Sequence, residues 1–280
     1  MIVLVSRSWR LIATAASFVL FGVVALALSA GLIILSLAPL KQSLKRHYSR
    51  YSIMLISRFY VYCYRVLGVL KVKFENMHLL NQPGALVIAN HPTLLDAILL
   101  LSVMPNTNLI VKAAVANNPF LSVIVSMAGY IPNNESGVAL VKEASAALKS
   151  GETLMIFPEG TRTDLEHGLN FKRSAAIIAL QANCTILPVL ISCEPITLRK
   201  HEPWYSIPKT IPLFHLRALP PLQISDCIDT THPRGIQARE LNQSLQQQFA
   251  QHLNQKIAPD LETPNLESPN LETPNLKTKE

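Results

Sequence analysis

Short apolar runs alternate with segments of helical periodicity through most of the chain after residue 71. Short apolar runs bounded by turn residues predict buried strands, and apolar residues at three- and four-residue spacing predict helices. Their alternation favours an α/β fold: a layered domain with a largely parallel central sheet. The pattern predicts strands at 85–89, 109–112, 130–131, 153–157, 185–192 and 213–219, and helices at 93–104, 119–127, 136–149, 172–182 and 234–256.

Residues 1–70 follow a different pattern, and we expect them to form a membrane anchor. Leu11 to Leu40 is a stretch of 30 residues without a charge, well beyond the ~20 that a helix needs to cross a bilayer. Residues 25–27, Ala-Leu-Ala, resemble a signal-peptide cleavage site, but the apolar stretch is about twice as long as a signal-peptide core. Gly22 and Gly31 leave a long tilted span and a tight monotopic hairpin open as alternatives.

The segment from Tyr51 to Leu70 combines aromatic and basic residues. Arg50, Ser57, Arg58 and Arg65 fall within about 100° of one another on a helical projection. This arrangement predicts an interfacial amphipathic helix whose basic stripe meets anionic lipid headgroups. A helix that packs on the core and exposes two arginines to solvent is the alternative.

Positive charge is concentrated at the N-terminal end. Residues 1–74 hold ten Lys or Arg and no acidic residue, whereas the rest of the chain holds 15 basic and 18 acidic residues. This distribution does not indicate nucleic-acid binding. Basic residues flank the apolar segment, and if this segment spans the membrane once, the positive-inside rule leaves the bulk of the protein in the cytoplasm. The cysteines and histidines lack the spacing of a zinc site, so we expect no metal.

Residues 90–96, Asn-His-Pro-Thr-Leu-Leu-Asp, carry the first candidate chemistry. On a continuous helix, residues five apart point about 140° away from each other, so His91 and Asp96 can meet only if Pro92 interrupts the backbone. Asp96 would then hold one ring nitrogen of His91 and leave the other free to accept a proton. The alternative is a capping box of Thr93 and Asp96, with His91 an ordinary turn residue.

Residues 157–162, Phe-Pro-Glu-Gly-Thr-Arg, form a second loop after a predicted strand. Gly160 permits a backbone conformation that a side chain would obstruct. Glu159 can accept a hydrogen bond from a hydroxyl, and Arg162 can hold a phosphate with its planar guanidinium. An ordinary tight turn is the alternative for this loop taken alone.

Together, the Asn-His-x4-Asp and Phe-Pro-Glu-Gly-Thr-Arg blocks resemble the lysophospholipid acyltransferase family, which includes bacterial 1-acylglycerol-3-phosphate acyltransferases. Further matches are Lys112 at a strand end, Phe-Lys-Arg at 171–173 and Leu-Pro-Val at 187–189. The resemblance covers about residues 70–220.

The resemblance implies a general base at His91, an orienting carboxylate at Asp96 and an acceptor-binding block formed by Glu159, Gly160, Thr161 and Arg162. The implied reaction moves a fatty acyl group from acyl-ACP or acyl-CoA to the free hydroxyl of a lysophospholipid such as 1-acylglycerol-3-phosphate, within phospholipid biosynthesis. It requires no cofactor, because the acyl thioester is a substrate. The implied partners are therefore a membrane lipid and the ACP or CoA thioester.

Two departures from the family pattern concern the phosphate. Residues 129–134 read Gly-Tyr-Ile-Pro-Asn-Asn where the family usually has an arginine, and Ser174 stands where glycine is common. Arg162, Lys112 and Lys172 could still neutralise a phosphate. A lyso-aminolipid or a specialised lipid is therefore an alternative acceptor.

Two other functions are alternatives to acyl transfer. A thioester or lipid hydrolase would use the same residues with water as acceptor, although no Gly-x-Ser-x-Gly elbow is present. An inactive membrane scaffold would be expected to have lost part of the His, Asp, Glu and Arg set, which is intact.

We divide the chain into the anchor, an acyltransferase domain at 71–256 and a tail at 257–280. The tail repeats Leu-Glu-Thr/Ser-Pro-Asn three times, and such a proline-rich, weakly apolar segment is expected to be disordered.

Overall fold

A central sheet of seven strands organises the chain in the computed structural model, which describes residues 6–133, 137–163 and 168–255. The strand order is β1-β7-β6-β2-β5-β3-β4. Of these neighbours only β6 and β7 run antiparallel. The strands are β1 Lys71–Glu75, β2 Leu86–Ala89, β3 Asn108–Lys112, β4 Ile131–Asn133, β5 Leu154–Ile156, β6 Ile186–Glu194 and β7 Leu213–Ala218.

Helices cover both faces of the sheet. They are α1 Arg7–Leu37, α2 Gln42–Val66, α3 Asp96–Leu101, α4 Ala113–Ala116, α5 Ser122–Ala128, α6 Gly137–Lys149, α7 Ser174–Ala182 and α8 Arg234–Gln255. The central strand β2 is buried at all four positions, as expected for a parallel strand between two helical layers. Val87 and Ala89 pack with residues of α2, α3 and α5, and Leu86 and Ile88 pack with residues of α6, α7 and α8.

This architecture confirms the predicted α/β fold with a largely parallel sheet. Each predicted strand overlaps an observed one, but β1 and the short helix α4 were not predicted. The predicted helix at 93–104 begins only at Asp96 and ends at Leu101. The five residues before it, His91 to Leu95, form the turn that carries the candidate chemistry.

The apolar N-terminal stretch forms one continuous helix and does not fold back on itself. α1 has 31 residues and is long and apolar enough to cross a membrane. Both of its halves contact the rest of the protein, because Arg10 donates to the carbonyls of Pro208, Lys209 and Thr210 and the Ser29 hydroxyl donates to that of Phe120. α1 therefore lies along the sheet-containing part of the chain, and its hairpin partner is α2.

The orientation of α2 contradicts the predicted basic stripe at two positions. Arg50 is 4% exposed, and it donates to the Ala128 carbonyl at 2.7 Å and pairs with Glu152 at 2.7 Å. Ser57 is buried as well, at 5% exposed. Arg58 is exposed, although its Nε donates to the Ser102 carbonyl. Arg50 is not available to lipid headgroups, because the domain supplies its carboxylate and carbonyl partners.

An apolar stripe occupies the exposed side of α2 instead. Its members recur every three or four residues, which places them along one face of the helix. They are Leu44, Tyr48, Tyr51, Leu55, Phe59, Tyr62 and Val66, and each is at least 41% exposed. Exposed apolar residues of α1, such as Ile12, Val19 and Leu37, add to the apolar surface of the helical hairpin.

Candidate active site

The two candidate loops converge because their strands are neighbours. β2 and β5 are parallel and hydrogen-bonded, so their carboxyl ends lie at the same edge of the sheet, where ligands gather in folds of this kind. The loop after β2 begins at Asn90, and the loop after β5 begins at Phe157. Their rings meet directly, since the imidazole of His91 stacks on the ring of Phe157 with centroids 4.3 Å apart.

Asn90 lets the main chain leave the sheet without losing the strand pairing. Its side-chain amide donates to the Ile191 carbonyl at 2.8 Å and its amide oxygen accepts from the Ile191 N–H at 2.8 Å. Both groups are buried, and each satisfies a main-chain group of β6. The turn that follows is therefore anchored to the centre of the sheet.

His91 and Asp96 meet as predicted. His91 Nδ1 lies 2.8 Å from Asp96 Oδ2, and the Asp96 side chain is fully buried whereas that of His91 is 20% exposed. In the described part of the chain, His91 Nε2 has no hydrogen-bond partner. A carboxylate on Nδ1 favours the tautomer in which Nε2 carries a lone pair, so Nε2 can accept a proton.

The same carboxylate also caps the turn, so the two alternatives for this motif coexist. Asp96 Oδ2 accepts from the Thr93 N–H at 2.7 Å, and Asp96 Oδ1 accepts from the Thr93 hydroxyl at 2.6 Å. Three hydrogen bonds from two residues fix a carboxylate that has no contact with solvent. The position of His91 is thus set by buried groups.

Glu159 connects the two loops. Its Oε1 accepts from the His91 N–H at 3.1 Å and from the Thr163 hydroxyl at 2.7 Å, and the Thr163 N–H donates to the His91 carbonyl at 2.7 Å. Burial raises the pKa of Glu159, although the hydrogen bonds from Thr163 and His91 lower it in part. Glu159 is 6% exposed and acts in this structure as a link between loops.

A cavity of about 220 Å³ opens beside His91. Of the predicted site residues, it is lined by His91, Lys112, Gly160 and Lys172, together with Phe157. Both lysines are exposed, which leaves their ammonium groups accessible at the cavity. The cavity thus combines a proton acceptor with two positive charges.

Position 160 requires glycine for two reasons: its backbone conformation and the closeness of Lys172. It adopts φ of +66°, and a Cβ added there would lie 3.0 Å from Lys172 Nζ and 3.3 Å from Lys172 Cε. Any other L-residue would be strained in this left-handed conformation. Glycine therefore lets Lys172 lie across the loop.

Glu159, Thr161 and Arg162 are not among the described residues that line the cavity. Arg162 Nη1 donates to the carbonyls of Leu198 and Arg199 at 3.0 and 2.8 Å. The guanidinium thus supports the neighbouring loop in this structure. The predicted roles of these three residues in acceptor binding stay predictions.

Three further residues shape the site. Thr163 and Phe157 flank the Glu-Gly-Thr block, and Asn133 lines the cavity. The sequence could have indicated Thr163, because its hydroxyl lies four positions after Glu159. It could not have indicated the contact of Phe157 with His91, because that contact depends on the strand order. Asn133 belongs to the segment that departs from the family pattern, and Asn134 lies outside the described residues.

The acyltransferase family model matches residues 71–192. This part of the chain is similar to the acyltransferase family. The matched acyltransferase region contains β1 to β5 and most of β6, and with them His91, Asp96, Lys112, Lys172 and the second loop.

Known relatives support the same assignment. Over 124 residues, the acyltransferase region is 31% identical to a 1-acyl-sn-glycerol-3-phosphate acyltransferase from Cocos nucifera, covering 42% of this chain and 40% of that protein. A protein of the same name from Helicobacter pylori is 32% identical over 126 residues, covering 43% of this chain and 53% of that one. The chain thus spans about half or less of the length of these relatives.

The fold extends beyond the family match. The structure is similar to the crystal structure of the 1-acyl-sn-glycerophosphate (LPA) acyltransferase PlsC from Thermotoga maritima, with a TM-score of 0.69 and 20% identity. The similarity covers 89% of this chain and 98% of that one. It confirms the mixed α/β fold with a mostly parallel sheet.

Proposed function

We propose that this chain is an O-acyltransferase that moves a fatty acyl group from a thioester donor to the free hydroxyl of a lysophospholipid, with 1-acylglycerol-3-phosphate as the leading acceptor. One observation carries the proposal: His91, hydrogen-bonded to Asp96, lines the same cavity as Lys112 and Lys172. A proton acceptor beside two ammonium groups suits an acceptor that carries both a hydroxyl and a phosphate. The names of the relatives point to the same reaction.

The proposed step is direct transfer with His91 as general base. The acceptor hydroxyl loses its proton to His91 Nε2 while its oxygen attacks the thioester carbonyl. The new C–O bond forms, the C–S bond breaks, and the proton passes to the departing sulfur to give a free thiol. Asp96 stabilises the imidazolium that forms in between, because its buried carboxylate is already hydrogen-bonded to Nδ1.

The proposed phosphate ligands are Lys112 and Lys172. Lys112 ends β3, and Lys172 lies beside Gly160, so the two charges approach the cavity from different loops. Arg162 would have to leave the carbonyls of Leu198 and Arg199 to join them. Asn133 lines the cavity without a charge, which keeps a lyso-aminolipid or a specialised lipid as the alternative acceptor.

The proposed donor is acyl-ACP or acyl-CoA, and the proposed reaction needs no cofactor. The acyl chain would occupy a second, apolar cavity that adjoins the first and shares Ala97, Leu109, Val111 and Val115 with its lining. The thioester carbonyl can then lie near His91 while the chain extends between α1, α2 and α5.

We further propose that residues 1–70 anchor the protein to the cytoplasmic face of a bacterial-type inner membrane. The exposed apolar stripe of α2 and the exposed residues of α1 form a surface suited to the headgroup and acyl boundary of a bilayer. Residues 71–256 would form the catalytic domain. The tail at 257–280 lies outside the described residues.

An assay of the purified, detergent-solubilised chain tests this function. The chain is offered a panel of lyso-lipids with phosphate, amine-bearing and neutral headgroups, each with acyl-ACP and acyl-CoA, and the products are identified by lipid mass spectrometry. We expect a diacyl product from the phosphate-bearing acceptor. Thioester hydrolysis at the same rate without any acceptor would indicate a hydrolase and contradict the proposal.

A further inference from the structure

A third cavity lies at the edge of the sheet opposite His91. It measures about 560 Å³ and is lined by the start of α2 and by the loops that precede β3 and β5, which contribute Asn106 and Glu152. Lys112, at the other end of β3, lines the first cavity instead. The length of β3 is roughly 13 Å, and the two cavities share no lining residue among those described. The third cavity is therefore separate from the candidate active site.

Positive charge predominates in the lining of this cavity. Arg46 and Arg50 both line it, and Glu152 is the one acidic residue among its described lining residues. Glu152 is already paired with Arg50 at 2.7 Å, and the Arg50 side chain is 3% exposed. Arg46 Nη1 lies 4.0 Å from Glu152 Oε1, and its side chain is 45% exposed. An exposed pair at this distance contributes little, so the charge of Arg46 remains available to a ligand.

The neighbouring backbone leaves room for the Arg46 side chain. A Cβ added to Gly129 would lie 2.7 Å from Arg46 Nε and 3.0 Å from its Cδ, so the arginine packs directly against the glycine. Within the described residues, the contact with Glu152 is the one polar contact recorded for Arg46. The guanidinium is thus held beside the cavity while its N–H donors remain without an acceptor from the described protein.

The start of α2 adds to this positive potential. Gln42 and Ser43, its first two residues, are exposed and line the cavity, and the N-cap residue Lys41 makes no side-chain hydrogen bond to the helix. The first N–H groups of a helix attract anions. A guanidinium also presents a planar fork that matches the oxygens of a phosphate. A phosphate group can therefore contact Arg46 and the helix start together.

The same cavity adjoins the apolar stripe of α2. Leu44 belongs to the stripe and also lines the cavity. His47, another lining residue, stacks on the ring of Tyr51, a second member of the stripe, with centroids 6.5 Å apart. If the stripe lies at the boundary between headgroups and acyl chains, as proposed above, the cavity lies at the depth of the lipid phosphates.

We infer that the third cavity binds the phosphate group of an anionic bilayer lipid. Arg46 is its main ligand, the start of α2 supplies further N–H donors, and the acyl chains of the lipid run past Leu44 along the stripe. The inference rests on the proposed membrane anchoring and is independent of the acyl-transfer reaction. A free phosphate presents the same oxygens without the chains, so the test must separate the two ligands.

Native mass spectrometry of the full-length chain measures this binding. The purified protein in a non-ionic detergent is titrated with phosphatidylglycerol, and the fraction that carries one lipid gives Kd. We expect Arg46→Gln to raise Kd by about 5- to 10-fold, the contribution of one arginine near anionic lipid. Its Tm should stay close to that of the unmodified chain, because the exposed ion pair contributes little.

Arg65→Gln is the matched control. It removes the same charge from an exposed position in the last turn of α2, outside the cavity, and should leave Kd nearly unchanged. An equal rise in Kd for both variants would mean that general surface charge binds the lipid, and would overturn the inference. A rise in Lys112→Met without one in Arg46→Gln would place the lipid in the first cavity and would also overturn it.

Two simpler ligands identify the source of the phosphate. Diacylglycerol lacks the phosphate and sn-glycerol 3-phosphate lacks the chains, so neither should show binding that depends on Arg46 at the lipid concentrations used. Arg46-dependent binding of sn-glycerol 3-phosphate as tight as that of the lipid would contradict the lipid assignment. Co-sedimentation with phosphatidylcholine vesicles tests the anchoring separately. A chain that sediments with them but shows no Arg46-dependent binding would refute the inference and leave the anchoring intact.

Discussion

Two adjoining cavities of nearly equal volume, about 220 and 210 Å³, treat their polar groups in opposite ways. Behind the first, Asp96, Thr93 and Glu159 are all hydrogen-bonded, and Nε2 of His91 has no hydrogen-bond partner in the described part of the chain. Around the second, which Tyr60 and Tyr130 help to line, the buried hydroxyls of these two residues have no hydrogen-bond partner among the described residues.

The difference between the two cavities corresponds to two different requirements. A base must be held in one orientation before the substrate arrives, so its neighbours form their hydrogen bonds within the protein. A cavity lined almost entirely by apolar residues suits a hydrocarbon chain, which needs contact area and no oriented hydrogen-bonding group. The five predictions below test this comparison.

The largest effect is expected from His91, the proposed base. His91→Ala removes the proton acceptor, so acyl transfer should fall by about 10² to 10⁴-fold, the usual contribution of a positioned base. The rate is measured by product formation with saturating donor and acceptor. Circular dichroism and Tm establish that the variant is folded, and a folded variant with normal turnover would show that His91 is not the base.

Asp96→Asn tests whether the carboxylate orients His91 or only caps the turn. The substitution replaces one carboxylate oxygen, a hydrogen-bond acceptor, by an NH2 group that would face another donor. We therefore expect a loss of about 100-fold in kcat and a loss of about 1–3 kcal/mol of stability. The pH–rate profile is the decisive measurement. A loss of stability with an unchanged pH–rate profile and an unchanged kcat would mean that Asp96 only caps the turn.

Lys112→Met and Lys172→Met test the proposed phosphate ligands. Each should raise KM for a phosphate-bearing acceptor about tenfold, since a charge-assisted hydrogen bond is lost, and leave kcat nearly unchanged. Lys149→Met, on the exposed end of α6, is the matched control. An equal rise in KM for an uncharged acceptor would argue against phosphate binding.

Glu159→Gln should flatten the pH dependence of stability. Because burial raises the folded pKa of Glu159, its contribution to stability is fully present below the unfolded pKa and is lost as pH rises through the folded pKa. Glutamine keeps an oxygen for the hydrogen bonds from His91 and Thr163 but does not titrate. Unfolding free energies are measured from acid to neutral pH, with exposed Glu143→Gln as control.

Parallel stability curves for the unmodified chain and Glu159→Gln would contradict this assignment. They would mean that the hydrogen bonds to Glu159 offset its burial. The loop connection would then act through an ionised carboxylate.

The smallest effect is expected on the unfolding free energy when the tyrosines are replaced and no ligand is present. Tyr60→Phe and Tyr130→Phe should leave the unfolding free energy unchanged or raise it by up to about 1 kcal/mol, whereas Tyr64→Phe should lower it by about 1 kcal/mol. Urea unfolding of the three variants is the measurement. Equal losses in all three would mean that the Tyr60 and Tyr130 hydroxyls have partners in solution.

The sequence predicts the reactive loop well because its determinants are local. Pro92 interrupts the helix directly after a buried strand, so His91 and Asp96 can meet within one turn. The convergence with Phe157 follows from the rule that parallel strands share their carboxyl ends. Both inferences need only neighbouring residues and the class of sheet.

The features that sequence reasoning missed depend on residues far apart in the chain. The basic stripe of α2 was assigned to lipid because Glu152, the partner of Arg50, lies 102 positions away. Tyr60 and Tyr130 lie in apolar segments that pattern analysis reads as core, and their lack of partners is visible only in three dimensions. The antiparallel pairing of β6 and β7 has no local signal either.

The contacts of Arg10 have a consequence for the order of folding. The three carbonyls that bind its guanidinium are 198 to 200 positions downstream, so α1 is synthesised long before its partners leave the ribosome. Arg10 lies near the start of α1, so these hydrogen bonds fix the N-terminal end of that helix only after residue 210 has been made. We therefore expect a nascent chain that stops before residue 208 to lack the three hydrogen bonds that hold this end of α1, even with its sheet largely assembled.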